Sequence, residues 1–121
     1  MKFILLIYQD ERQFNAMSDA ERQKLYAEYG QLREELQAKG QFLAGSQLQP
    51  TGTAASIRLR NNKELVTDRP FAKTHEQLNS YFLIEAASRN EAVDIAKRIP
   101  SARAGTIEVR PLVERMAQTL P

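Results

Sequence analysis

The stretch Phe3-Ile4-Leu5-Leu6-Ile7-Tyr8 decides the fold, because six apolar side chains follow one another without a polar interruption. Successive side chains of a strand point to opposite faces of a sheet, so residues 3–8 put apolar groups on both faces. Residues 81–86 (Tyr-Phe-Leu-Ile-Glu-Ala) repeat this property with one carboxylate among them. Strands of this kind are typical of a sheet that is covered on both sides. The sequence therefore predicts a sheet that needs two covering layers.

A long helix is predicted over residues 18–39. Ser18 and Glu21 have the spacing of a capping box, in which each side chain accepts a hydrogen bond from the other residue's backbone N–H. Lys39-Gly40 supplies a cation and a glycine at the other end, where helices commonly stop. Between these ends the apolar residues recur at spacings of four, three and four, on one face: Leu25, Tyr29, Leu32 and Leu36.

The remaining segments alternate between strands and one more helix. Ser88 and Glu91 again have capping-box spacing, and the helix they begin ends at Pro100. Asn61-Asn62 is typical of a hairpin turn. Strands are predicted at residues 41–49 (with a bulge near Gly45), 55–60, 64–67, 78–87 and 106–109, and the tail 111–121 leaves room for a short helix.

This order, β-α-β, a hairpin, then β-α-β, matches the ferredoxin-like α+β sandwich and predicts a single domain over residues 1–121. Two helices cover only one face of such a sheet. The other apolar face needs a cover that the chain has no residues left to supply. A homodimer with sheets packed face to face is the expected answer.

Composition excludes several classes of site and of protein. With no cysteine, disulfides, thiolate metal sites and thiol nucleophiles are impossible, and one histidine with scattered carboxylates predicts no metal site. Seventeen basic and fifteen acidic side chains leave a net charge of +2 without a basic stripe, so no nucleic-acid partner is expected. The six-residue apolar run is too short for a signal peptide or a membrane span, which predicts a cytoplasmic protein with no membrane partner. No pattern for a cofactor is present.

Residues 67–78, Thr-Asp-Arg-Pro-Phe-Ala-Lys-Thr-His-Glu-Gln-Leu, resemble the Asp-Gly-Pro-Phe signature of the YCII-related, DGPF-motif family. The first strand, residues 81–86 and residues 99–111 also resemble that family, so the similarity covers nearly the whole chain. The family usually has other residues at four positions, which here are Arg69, Lys73, His75 and Ala104. The resemblance implies a ferredoxin-like domain that dimerises into an α/β barrel. It also implies bacterial genes beside extracytoplasmic-function sigma factors and an enzymatic role for a histidine–aspartate pair.

Three residues of this motif are candidate site residues, each with a structural alternative. Asp68 either holds the loop in place by accepting hydrogen bonds from backbone N–H groups, or it has a ligand-binding or acid–base role. His75, the sole histidine, either is an exposed loop residue or pairs with Asp68 in general acid–base chemistry. Phe71 either anchors the loop or forms an apolar wall of a ligand pocket.

Three further candidates lie outside the motif. Glu85 interrupts an apolar strand face, and a carboxylate buried there needs a cationic partner, for which Arg103 and Arg110 are available; the alternative is a catalytic role. Tyr8 either packs in the core or lines a barrel pocket. Arg103, near Gly105, either binds an anionic ligand or serves the dimer or the end of the second helix.

Two hypotheses about function follow. The first is a homodimer that binds a small organic or anionic ligand between sheet and helices, with cofactor-independent acid–base catalysis as an extension of binding. The second is a non-catalytic interaction module, linked through the family resemblance to a sigma-factor pathway, whose loop 68–77 contacts a protein. A ferredoxin-like fold is compatible with both.

Overall fold

A computed structural model describes residues 1–114 of the chain. Its strands and helices follow one another in the order β1 (Lys2–Gln9), α1 (Glu11–Asn15), α2 (Asp19–Ala38), β2 (Phe42–Gln47), β3 (Ser56–Arg60), β4 (Lys63–Thr67), β5 (Gln77–Glu85), α3 (Arg89–Lys97) and β6 (Thr106–Pro111). Short 3-10 turns lie at Thr51–Thr53 and Pro100–Arg103. The short helix considered for the tail falls outside the described residues.

Four antiparallel strands form the main sheet in the order β2-β5-β1-β6. The first strand therefore lies between β5 and β6, and Leu5 pairs with Phe82 on one side and with Val109 on the other. This is the strand order of the ferredoxin-like plan, which confirms the predicted α+β fold class. The β2 strand bends where its register shifts between Phe42 and Ala44, close to the bulge expected near Gly45.

The hydrophobic core fills the space between the sheet and helices α2 and α3. Phe3, Leu5 and Ile7 of β1 are completely buried there. Both helices contribute to the same cluster of buried residues, which includes Leu36 of α2 and Ile95 of α3, so both lie on one face of the sheet. No helix in residues 1–114 is long and apolar enough to cross a membrane.

The helix ends follow the predicted local rules, with one helix that sequence patterns did not predict. Ser18 accepts from the N–H of Glu21 and donates its own N–H to the Glu21 carboxylate, which completes the capping box. Those two hydrogen bonds lower the pKa of Glu21. Helix α1 has only five residues, too few for an apolar period to show, and the Asp10 carboxylate caps it by accepting from the N–H of Arg12.

The β3–β4 hairpin is a separate two-stranded sheet and does not join the main one. Its turn residues Asn61 and Asn62 adopt φ of 51° and 62°, the left-handed region that such a turn requires. The hairpin buries little of its apolar surface, and its exposed apolar side chains are Ile57, Leu59, Leu65 and Val66.

The sheet face opposite the helices, called the outer face below, carries apolar side chains in its two central strands. Ile4 and Leu6 of β1 and Leu83 of β5 lie on it and are half-buried. The β6 residues that pair with Ile4 and Leu6 are Arg110 and Glu108, so the edge of this face is charged. The outer face therefore has an apolar centre beside a polar margin.

Replacing Gly105 by alanine should destabilise the fold, because a Cβ there would overlap the carbonyl oxygen of Tyr8. We expect a loss of about 2–3 kcal/mol in the free energy of unfolding, measured by urea denaturation. Gly30→Ala is the matched control, since a Cβ at Gly30 meets nothing within 4 Å and lies inside helix α2. That variant should gain about 0.5–1 kcal/mol. Equal stability of the two variants would contradict this packing.

Candidate functional site

A cavity of about 490 Å³ lies between helix α2 and the β2–β5 side of the sheet, and we call it the sheet–helix cavity. Most of its exposed wall area is apolar, and six of its eleven lining residues carry polar side chains. Its lining residues are Gln9, Phe14, Leu25, Tyr26, Tyr29, Arg33, Ser46, Gln47, Asn79, Ser80 and Phe82. An apolar cavity with few polar groups is the usual form of a small-molecule site.

A chain of hydrogen bonds forms the polar part of this cavity. Gln9 donates from Nε2 to the Ser101 hydroxyl at 2.7 Å, and the Tyr29 hydroxyl shares a 2.5 Å hydrogen bond with the same oxygen. Ser101 is almost completely buried, so this network is shielded from water. The amide oxygen Oε1 of Gln9 is also buried, yet it has no hydrogen-bond donor in the described structure. An unpaired buried oxygen is unfavourable and marks a place for a donor.

Two side chains of α2 give the cavity its electrostatic character. Burial raises the pKa of the Tyr29 hydroxyl, although hydrogen bonds from Ser101 oppose the shift. Tyr29 is therefore a neutral phenol near pH 7. The Arg33 guanidinium lies 5.7 Å from the ring centre of Phe42, and no described carboxylate forms an ion pair with it.

A second, larger cavity of about 760 Å³ lies where β1 ends and residues 70–75 cross above β5; we call it the loop cavity. The structure brings three predicted site residues together there: Tyr8, Phe71 and His75. Asp10 and Lys73 also line it, whereas Asp68 does not. Asp10 and His75 therefore line one cavity, and the pairing of His75 with Asp68 stays a prediction.

The Gln77 side chain fixes the geometry of the loop cavity. Its Oε1 accepts from the N–H of Glu11 at 2.8 Å, and its Nε2 donates to the carbonyl of Thr74 at 2.6 Å. One amide therefore links the start of α1 to the residue before His75. Hydrogen bonds from the Arg12 guanidinium and N–H hold the pKa of Asp10 below its usual value, so it is ionised at neutral pH. Burial, followed by the nearby charge of Glu108, raises the pKa of Tyr8.

The other three predicted residues lie apart from both cavities. Asp68 is exposed after β4, and the hydrogen bond that holds this segment comes from Ser56, which donates to the carbonyl of Arg69 at 2.7 Å. Glu85 is also exposed, and its partner is the N-terminal amine of Met1 at 3.0 Å.

The expectation that Glu85 is buried beside Arg103 or Arg110 is wrong for the described chain. Glu85 is the last residue of β5 and lies opposite Lys2, at the end of the sheet beside the start of the chain. Arg103 is in the 3-10 turn after α3 and forms a 2.7 Å ion pair with Glu28 of α2. This pair fastens the turn to helix α2, a contact that neither alternative for Arg103 predicted.

Comparison with known proteins identifies the family. The model of the YCII-related domain matches residues 1–115. The chain belongs to the YCII-related family. It is also similar to an uncharacterised protein of Rhizobium meliloti (strain 1021), with 33% identity over 123 residues that cover all of this chain and 99% of the relative. The YCII-related resemblance expected from the sequence is therefore confirmed, together with its ferredoxin-like α+β fold, and the dimeric barrel stays a prediction.

Sequence reasoning missed the residues that make this YCII-related chain's sheet–helix cavity. Gln9, Tyr29 and Ser101 lie far apart in sequence and have no motif spacing. Its spacing in the sequence predicts that Tyr29 belongs to the apolar stripe of α2. Only the packing shows that its hydroxyl reaches Ser101. For Asp10, the one sequence feature that could have indicated a site residue is the short polar segment after β1. Within residues 1–114, no three histidine, aspartate or glutamate side chains are grouped as metal ligands.

Replacing Gln77 by alanine should loosen residues 70–75, because it removes the link between Glu11 and Thr74. We expect trypsin to cleave folded Gln77→Ala after Lys73 several-fold faster than the unmodified protein. The loss of the link lets this loop open locally more often, and a protease cuts the opened form. Gln47→Ala is the matched control, because its side chain makes only a 3.5 Å contact with Tyr26, away from the loop. Unchanged cleavage after Lys73 would show that Gln77 does not hold this loop.

Proposed function

We propose that this YCII-related protein binds a small organic molecule in the sheet–helix cavity and acts as a homodimer. The observation that carries the binding proposal is the buried Gln9 Oε1, which lacks a donor beside a cavity of about 490 Å³. Sites for small molecules commonly have volumes of about 300–1,000 Å³ and mostly apolar walls. A polar atom of a bound molecule would supply the missing hydrogen bond.

The aromatic walls favour an organic molecule over a bare ion. Tyr29 and Phe82 pack edge to face at 6.0 Å between ring centres, so the wall is rigid and held by the core. The phenol of Tyr29 is uncharged near pH 7 because burial raises its pKa. These walls stabilise a ligand mainly by burying its apolar surface.

The outer face supports the homodimer. Ile4, Leu6 and Leu83 form its apolar centre, and within residues 1–114 helices α2 and α3 pack on the opposite face. The detached hairpin exposes further apolar surface, with Ile57 68% and Val66 57% accessible. Apolar surface of this extent is typical of an interaction site, and a second identical chain offers a matching surface by two-fold symmetry.

The acid–base hypothesis has a separate location, the loop cavity, and is a second candidate function. The observation in its favour is the Gln77 link, which holds the His75 segment beside the start of α1, where the ionised Asp10 lies. A neighbouring carboxylate can orient an imidazole for proton transfer. In this arrangement His75 would move the proton and Tyr8 would contact the ligand.

Blocking the sheet–helix cavity should abolish ligand binding. Gln47→Trp places a large ring at the cavity wall, since Gln47 lines the cavity and pairs with Ser80 across the sheet. We expect fragments from a library of small organic molecules to shift the NMR signals of Tyr29 and Phe82 in the unmodified protein and in the control variant, but not in Gln47→Trp. Gln37→Trp is the control, because Gln37 is exposed on α2 and does not line the cavity. Fragments that bind both variants equally well, or none binding the unmodified protein, would refute the proposal.

A charge in the centre of the outer face should separate the dimer. We expect sedimentation at 10 µM to give the mass of two chains for the unmodified protein and of one chain for Leu83→Glu, because burying an unpaired carboxylate is unfavourable. Ala27→Glu, on the exposed side of α2, should leave the dimer intact. A single chain in the unmodified protein would overturn the homodimer.

A further inference from the structure

We infer that the ligand of the sheet–helix cavity is an aromatic carboxylic acid with a hydroxyl group at its far end, a class that rests on the proposed binding function. The inference combines three features of the cavity: an unpaired oxygen at one end, an unpaired cation at the other and aromatic walls between them. Each feature selects one part of the ligand.

The Arg33 end selects a negative charge. Other arginines that contact α2 have carboxylate partners: Arg22 with Asp19 at 4.0 Å and Arg103 with Glu28 at 2.7 Å. Arg33 lies over the Phe42 ring and has no such partner among the described residues. A guanidinium group presents parallel N–H donors that fit the two oxygens of a carboxylate.

The Gln9 end selects a hydrogen-bond donor. Its Nε2 is already occupied by Ser101, which leaves Oε1 as the group to be satisfied. Gln9 lines the cavity, so a ligand seated there can bring a donor to this side chain while Nε2 keeps its bond to Ser101. A hydroxyl supplies the O–H that this oxygen lacks.

A row of aromatic rings joins the two ends. The Arg33 guanidinium lies 5.7 Å from the ring centre of Phe42, and that ring lies 5.2 Å from the ring of Phe82. The Phe82 ring lies 6.0 Å from the ring of Tyr29, whose hydroxyl shares the Ser101 oxygen with Gln9. The aromatic side chains Tyr29 and Phe82 lie between these ends and favour a flat ring.

A set of three related molecules tests each end separately. 4-Hydroxycinnamate carries both the hydroxyl and the carboxylate, 4-methoxycinnamate lacks the O–H, and methyl 4-hydroxycinnamate lacks the charge. In NMR titrations of the unmodified protein, we expect the methoxy compound to bind about 5- to 30-fold more weakly, because Oε1 stays unsatisfied. The methyl ester should bind about three- to fivefold more weakly, since Arg33 is exposed and its charge is partly screened.

Two substitutions should remove these differences selectively. Gln9→Met should make the hydroxy and methoxy compounds bind equally while keeping the preference for the free acid over the ester. Arg33→Met should make the acid and the ester bind equally while keeping the preference for the hydroxyl, and Arg33→Lys should restore most of the preference for the acid. The comparison among the three compounds on the unmodified protein needs no variant and stands even if Gln9→Met is unstable.

The possible results separate this inference from the proposed function. If neutral aromatic fragments bind in the cavity but the three compounds show equal affinity, the ligand class is wrong and the binding site stands. If the preferences exist but persist in both Met variants, Gln9 and Arg33 do not set them, and the inference fails. If Gln47→Trp has no effect on any of the compounds that bind, the cavity itself is not the site and both proposals fail.

Discussion

The pairing of β1 between β5 and β6 is the constraint on which the rest of the structure depends. Every residue from Phe3 to Tyr8 has a partner in both neighbouring strands. This register turns Phe3, Leu5 and Ile7 toward the helices and Ile4 and Leu6 toward the outer face. A shift by one residue would exchange the two sets, so the core and the outer face are fixed together.

Both cavities lie at the same end of the sheet because β1 ends there. Gln9 closes β1 and contributes to the sheet–helix cavity, and Tyr8, on the opposite face, contributes to the loop cavity. Helix α1 begins directly afterwards, and Asp10 caps it while lining the loop cavity. Three consecutive residues therefore serve two surfaces, since alternate residues of a strand face opposite ways.

The fold could be predicted from local patterns, but most of the candidate site could not. The Ser18 capping box, the Asn61-Asn62 turn and the two-faced strands depend on residues close in sequence, and each was confirmed. At Ser88 only half of the expected box forms: its hydroxyl accepts from the N–H of Glu91, whose carboxylate accepts from the N–H of Ala87 instead. The candidate site residues, in contrast, were predicted from the chemical type of their side chains. Tyr8, Phe71 and His75 do share a cavity, whereas Glu85 pairs with the N-terminal amine because strand register, not side-chain type, sets its neighbours. The network of Gln9, Tyr29 and Ser101 connects residues up to 92 positions apart, and no local pattern indicates such a contact.

The sequence by itself determined the strand and helix order, the ferredoxin-like plan, the absence of cysteine chemistry and the YCII-related family, because apolar periodicity, capping residues and composition are local properties. Only the tertiary structure decided which polar groups meet. It placed His75 and Asp10 in one cavity and left Gln9 Oε1, within residues 1–114, without a donor beside an open cavity. Packing brings distant residues within hydrogen-bond distance, and burial then decides which of their polar atoms stay unsatisfied.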